Sequence, residues 1–191
     1  MNKFRQIINE FRKSNNIELL GQFKCEHNGK TKYGEIFDKN YWHRKKLIFE
    51  LYRNYTKEDK PLIKWLLKEE LKGFELGIPV QTTDLCAFMV YKHLDFEDVY
   101  DLFDAKFGGG SDTQCYVDIE LVFGFDKEQT KIFLLDRKTN KKRNKEILKA
   151  IKYYEGNADA KFKTREEYIN YFENRKINLI QNDLQDYSDY E

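Results

Sequence analysis

The sequence predicts a mainly all-α protein built of stacked helical hairpins, and three observations lead there. Apolar residues recur at i, i+3, i+4 and i+7 in one segment after another. Residues that can cap a helix stand at the start of those segments, and glycines stand at their ends. A faint internal repeat with matched positions 29 residues apart covers two short helical patterns per unit, as stacked hairpins produce. Composition agrees. A chain of 191 residues that is 40% hydrophobic is long and apolar enough for one well-cored domain, and the presence of only two prolines favours helices over a loop-rich β fold.

The first element is KFRQIINEFRK, where Phe4, Ile7, Ile8 and Phe11 form one helical face. A less regular stretch follows. Its Asn28-Gly29 pair is a turn signal and predicts a small β-hairpin near 28–37. From Asp38 the pattern is helical again, with Trp42, Phe49, Leu51 and Tyr52 among long basic side chains. The segment 56–74 opens on Thr56 and Asp59, a weakened capping box, with Pro61 in the first turn. After a loop at 75–81, Thr82-Thr83 precede LCAFMVYKHL, a nearly all-apolar helix expected at the centre.

From there the starts and stops become regular. Asp95 with Asp98, Ser111 with Gln114, Asp126 with Gln129 and Thr164 with Glu167 are spaced to cap four helices. Gly108, Gly124 and Gly156 end three. In the repeat, Cys86 matches Cys115, Leu94 matches Phe123 and Phe96 matches Phe125; the spacing does not follow the tetratricopeptide pattern. Residues 1–182 are expected to form a single helical domain. The last nine, DLQDYSDYE (183–191), carry four acids and no base and are expected to be a disordered acidic tail.

Net charge is only +1, but its distribution is uneven. Residues 1–83 carry 17 bases and 11 acids, residues 84–128 carry 3 and 11, and residues 129–191 carry 14 and 11. An acidic middle between basic arms argues against nucleic-acid binding by the whole chain and suits a basic protein partner. Three cysteines without a C-x-x-C pair predict neither a zinc site nor a disulfide framework, and Cys115, inside the apolar repeat, reads as a core thiol. The opening residues are charged throughout and no apolar run reaches the roughly 18 residues of a membrane span, so a cytoplasmic protein without membrane contact is expected.

Few motifs carry chemistry. In KFGGGSD (106–112) no lysine follows the glycines as a P-loop requires, no strand is predicted before them, and Asp112 would repel an anion at the helix start. The loop therefore reads as a joint between helices, with more glycine than a stop needs. An alternative reading of 115–138 as two strands places Asp118 and Glu120 on the first and Asp136 and Lys138 on the second. That arrangement resembles the PD-(D/E)-x-K nuclease core, and the resemblance implies carboxylates holding Mg²⁺ and a lysine stabilising charge. The missing proline before Asp118, the helical repeat and the acidic surroundings speak against it. RKTNKKR (137–143) reads as a solvated basic turn.

What remains is a row of carboxylates. Asp95, Glu97, Asp98, Asp101 and Asp104 fall on one predicted helix, with Gly109, Gly110 and Asp112 next to it and Asp118 and Glu120 on the following one. These ten residues are the expected partner-binding surface. No catalytic residue, metal ligand or cofactor is assigned. The Lys-, Asn-, Ile- and Tyr-rich, Ala-poor composition suits an AT-rich bacterial genome. The expected function is a protein-binding module without catalysis, most concretely a bacterial immunity protein that binds and neutralises a toxin through this acidic face.

Overall fold

The computed structural model describes residues 2–185 and Tyr187, and it is mainly all-α. The helices are α1 (Lys3–Ser14), α2 (Tyr41–Tyr52), α3 (Lys60–Gly73), α4 (Gln81–Lys92), α5 (Val99–Phe107), α6 (Ser111–Tyr116), α7 (Glu120–Phe123), α8 (Lys127–Asp136), α9 (Lys141–Glu155), α10 (Arg165–Tyr171) and α11 (Ile177–Gln185). Neighbours in sequence pack as pairs, α1 on α2, α3 on α4 and α8 on α9. The chain then returns, and α11 packs on α4. Among the described residues no helix is long and apolar enough to cross a membrane.

Most of the capping signals act as the spacing predicts. Asp95 with Asp98 and Thr164 with Glu167 form reciprocal capping boxes, and the Asp126 carboxylate accepts from the amides of Glu128 and Gln129. Thr56 and Asp59 do the same before α3. One cap differs. Ser111 is the first residue of α6, and Gly110 before it takes the cap position with no side-chain bond. The segment 17–23, without a regular apolar period, forms a 3-10 helix that buries Leu20 and Phe23.

The small β-hairpin expected near 28–37 is reduced to a single antiparallel bridge between His27 and Asp38. The turn itself forms, with Gly29 at φ 80°, but the residues between carry few apolar side chains to hold a second pair. The strand reading of 115–138 is corrected outright, since that stretch is α6, α7 and α8. The repeat holds where its aromatics meet: Phe96 and Phe125 touch edge to face at 5.0 Å. It breaks in its first helix, because Val117 turns to extended backbone and separates α6 from α7. As a consequence Cys115 is exposed, while Cys86 in the unbroken α4 is buried. Of the acidic tail, residues 183–185 belong to α11; beyond them only Tyr187 lies within the described residues.

Two hydrophobic clusters result. The larger joins α1–α4 to the returning C-terminal helices, with Phe88 of α4 stacked on Phe172 at 3.7 Å. The smaller joins α5, α7, α8 and α9 through Val99, Phe103, Val122, Leu134, Ile147 and Ile151. Helix α4 is buried from Gln81 to Tyr91 on every side.

A buried cation anchors the N-terminal half. Arg44 of α2 is fully buried and pairs with Asp38 at 2.7 Å and with Glu70 of α3 at 2.5 Å. It also donates to the Phe23 carbonyl at 3.2 Å. Glu70 in turn accepts from the Thr82 hydroxyl of α4. Burial pulls the guanidinium down, but Glu70 and Asp38 more than offset it and hold Arg44 above its usual value. Arg44→Met would leave two buried carboxylates without a counter-charge. It is expected to lower the unfolding free energy by about 3–5 kcal/mol. Arg5→Met, at a half-exposed pair with Glu50, is expected to cost less than about 1 kcal/mol. Urea denaturation measures both, and equally small losses would remove Arg44 as the anchor.

Candidate functional site

The predicted acidic row exists as a row, but it is not bare. Asp98 is 2% exposed and pairs with Lys60 and, at 2.8 Å, with Lys64, both from α3. Asp95 pairs with Lys60 at 2.6 Å and Asp101 with Lys64 at 2.7 Å. On the other flank Glu97 pairs with Arg137 and Asp104 with Arg143, at the two ends of the α8–α9 connection. Helix α5 and its leading turn therefore lie between cations of two other hairpins. Hydrogen bonding to Lys60 holds the Asp95 carboxyl below its usual range. The outer sides of Asp95, Glu97 and Asp104 stay about half exposed. The basic turn 137–143 is thus partly spent on α5. Exposed lysines for which no carboxylate pair is seen among the described residues include five on α9: Lys141, Lys142, Lys145, Lys149 and Lys152.

Asp118 and Glu120 do not extend this row. Asp118 accepts from the Tyr168 hydroxyl at 3.0 Å and pairs with Lys176 at 2.6 Å. Lys176 also pairs with the fully buried Asp84 of α4 at 2.9 Å and donates to the Tyr116 carbonyl. Burial lowers the Lys176 ammonium, but Asp84 and Asp118 outweigh it and raise it overall. Nearby, buried Lys106 is spent on the carbonyls of Gln114 and Val117. Glu120 is buried and accepts from the Lys163 amide at 3.2 Å. Asp136 ends α8, and Lys138 follows it in an exposed connection. The four groups required by the nuclease resemblance therefore sit on two helices, α7 and α8, and two connections, not on a strand pair. Among the described residues no three His, Cys, Asp or Glu side chains are grouped to hold a metal ion.

Gly108 closes α5, where a Cβ would lie 2.6 Å from the Asp104 carbonyl oxygen, and the loop has a structural reason for glycine at its other two positions as well. A Cβ on Gly109 would lie 2.4 Å from the Phe74 ring and 2.6 Å from Thr113 Cγ2. Gly110 sits at φ 79°, ψ −152°, a region open to glycine alone. The first explains the surplus glycine by close approach of the α3–α4 connection, and the second turns the chain into α6.

Sequence reasoning missed the residues that fasten these parts. Arg44 is one of several long basic side chains after Asp38 and has no motif to single it out. Lys176 has no motif at all. Thr82 and Asp84 carried a usable signal, being polar residues at the head of an otherwise apolar run. Neither a protein-family model, nor a curated protein, nor a solved structure matches the chain.

Two expectations test this arrangement. Loss of hydration pushes the Asp84 carboxyl up to about 6, with Lys176 pulling the other way. The folded state then keeps a proton that the unfolded chain gives up above its ordinary 3.8. The contribution of Asp84 is full below that value and lost as pH rises towards 6. Asp84→Asn removes the loss, so between about pH 4 and about pH 7 it should gain roughly 2–3 kcal/mol on the parent chain. Parallel stability curves across that range would contradict a protonated Asp84. For the loop, Gly110→Ala is expected to cost about 1–3 kcal/mol. Gly109→Ala should be partly rescued by Phe74→Leu, with a coupling of at least about 0.5 kcal/mol in a double-mutant cycle. Additive losses would mean that the ring does not set the need for glycine.

Proposed function

We propose that the chain is a protein-binding module that acts without catalysis. Its most concrete form is a bacterial immunity protein that binds and neutralises a basic toxin in the cytoplasm. One observation carries this reading. Glu97, Asp101 and Asp104 stand at i, i+4 and i+7 along α5 and its leading turn, partly exposed, Asp101 paired to Lys64 on one flank and the other two to Arg137 and Arg143 on the other. Pairs of that exposure are worth about 0–1 kcal/mol, so an incoming arginine or lysine can exchange for the resident cation at little net cost. A row of such positions steers a basic partner and fixes its register. Asp98 and Glu120 are too deeply buried to take part, and Asp118, about a third exposed, lies off the row and is held by Lys176 and the Tyr168 hydroxyl.

The product of the neighbouring gene is the partner to test. Expressed alone it should arrest growth, and co-expression with this chain should restore it. The triple variant Glu97→Gln, Asp101→Asn, Asp104→Asn should keep the parent helical circular dichroism while association with the purified partner slows about tenfold or more at low salt. Growth arrest that this chain does not relieve would sink the function. Unchanged association by the triple variant would sink the site.

A further inference from the structure

We infer that the outer face of the α8–α9 hairpin docks on an anionic membrane surface. The lysines of α9 lie over the lipid headgroups, and Ile132 and Leu135 of α8 enter between them. This docking is independent of the proposed function.

The lysines share one side of their helix. At 3.6 residues per turn, Lys141, Lys142, Lys145, Lys149 and Lys152 fall within an arc of about 100° on α9. The buried Asn144, Ile147 and Ile151 lie outside that arc, and so do both acids of the helix. Glu146 pairs with Arg143, and Glu155 pairs with Lys127 and Lys131 of α8. The carboxylates of α9 are thus engaged elsewhere. Lys141, Lys145 and Lys149 stand at i, i+4 and i+8, a spacing at which like charges weaken a helix. Among the described residues no carboxylate pair offsets that repulsion.

The neighbouring helix turns two apolar side chains to the same side. Lys131 meets Glu155 at 3.0 Å, which fixes the flanks along which α8 and α9 face each other. On α9 the lysine arc begins just beyond Glu155, towards solvent. On α8, Leu135 stands at i+4 from Lys131 and lies just beyond it towards solvent, with Ile132 next to it. Ile132 and Leu135 are 59% and 70% exposed, the most exposed large aliphatic side chains among the described residues. Exposed Tyr153 borders the far side of the lysine arc. One acid shares the face, Glu128, and it pairs with Lys131 at 2.6 Å. The acidic edge of α5 is elsewhere, since Arg143, which holds Asp104, stands on the opposite flank of α9.

An anionic membrane is the partner that uses both features. Its headgroups are a fluid array of charge, which compact ammonium groups meet without a fixed geometry. The arc holds no arginine, the residue suited to bidentate pairing with a partner's carboxylates. Isoleucine and leucine gain by entering the boundary between headgroups and acyl chains. No helix among the described residues can cross a membrane, and docking on its surface needs none. A nucleic acid would use the lysines but leave the aliphatic pair in water. For stacking bases this face offers Tyr153 as its one exposed ring among the described residues.

Co-sedimentation of the full chain with lipid vesicles tests the docking. Vesicles of phosphatidylglycerol and phosphatidylcholine in equal parts should bind it at least about tenfold more tightly than phosphatidylcholine alone. Lys145→Gln with Lys149→Gln should weaken that binding about tenfold or more. Lys13→Gln with Lys24→Gln, the same change of charge at exposed positions of the N-terminal half, should weaken it less than about threefold. Equal losses by the two pairs would reduce the effect to net charge and overturn the face. Ile132→Ser with Leu135→Ser should keep the parent circular dichroism and weaken binding about fivefold or more. Binding unchanged by that pair, or no binding to the anionic vesicles, would overturn the docking. A single-stranded oligonucleotide that binds where the vesicles do not would give the face to nucleic acid instead.

Discussion

Helix α4 is buried on every side and yet opens with four polar residues, and the architecture turns on how two of them, Thr82 and Asp84, are met. An unpaired hydroxyl or carboxylate in that position would cost several kcal/mol. Thr82 is met by Glu70, which is met in turn by Arg44; Asp84 is met by Lys176. The two partners come from opposite ends of the chain. Arg44 ties α2, α3 and the 3-10 segment to the centre, and Lys176 ties the returning C-terminal helix to the same centre. Because a lone buried charge is far costlier than a paired one, neither half can pack on α4 without bringing its own ion. The hydrophobic clusters supply most of the driving force, and the ions decide which helices may share it.

The return of the C-terminal helix needs one further device. Between α10 and α11 the residues Phe172–Lys176 form a π-helical turn, with the Ile177 amide reaching back to the Phe172 carbonyl. The extra residue lets Lys176 and Ile177 both face inward, so that one helix presents Tyr168, Phe172, Lys176, Ile177, Ile180 and Leu184 to the core while Leu179 stays exposed. A regular helix would place either the ion or the apolar stripe out of phase. The weakened backbone geometry is the cost of presenting both.

The legible parts of the fold were the local ones. Asp95 with Asp98, Asp126, and Thr164 with Glu167 cap helices because a side-chain oxygen and a free amide two or three residues later need no tertiary information. The repeat was legible where Phe96 meets Phe125 and misleading at Cys115, because a 29-residue match in type does not fix the backbone at Val117. Arg44 and Lys176 were illegible, since their burial depends on carboxylates 26 and 92 residues away in sequence, Glu70 and Asp84. The block pattern of charge was visible from the start but carried a folding meaning as well as a surface one. The acidic middle is acidic because it is packed between the two basic arms: Lys60 and Lys64 from the first, Arg137, Arg143 and Lys176 from the second.

That pairing changes what an acidic residue can say about function. A carboxylate already matched to a cation of its own chain is explained by the fold, and its charge cannot be counted again towards a partner. What is left over after the matching is more informative than the total. In the acidic segment the remainder is Asp112, placed on the glycine loop, beside a buried glutamine carbonyl that accepts nothing and against the ring that forbids a side chain at Gly109. Gly109 lets Phe74 close against the loop, and Gly110 turns the chain so that α6 starts with Asp112 in its first turn. The two glycines are therefore conditions for the packing of the loop as much as for the helix joint.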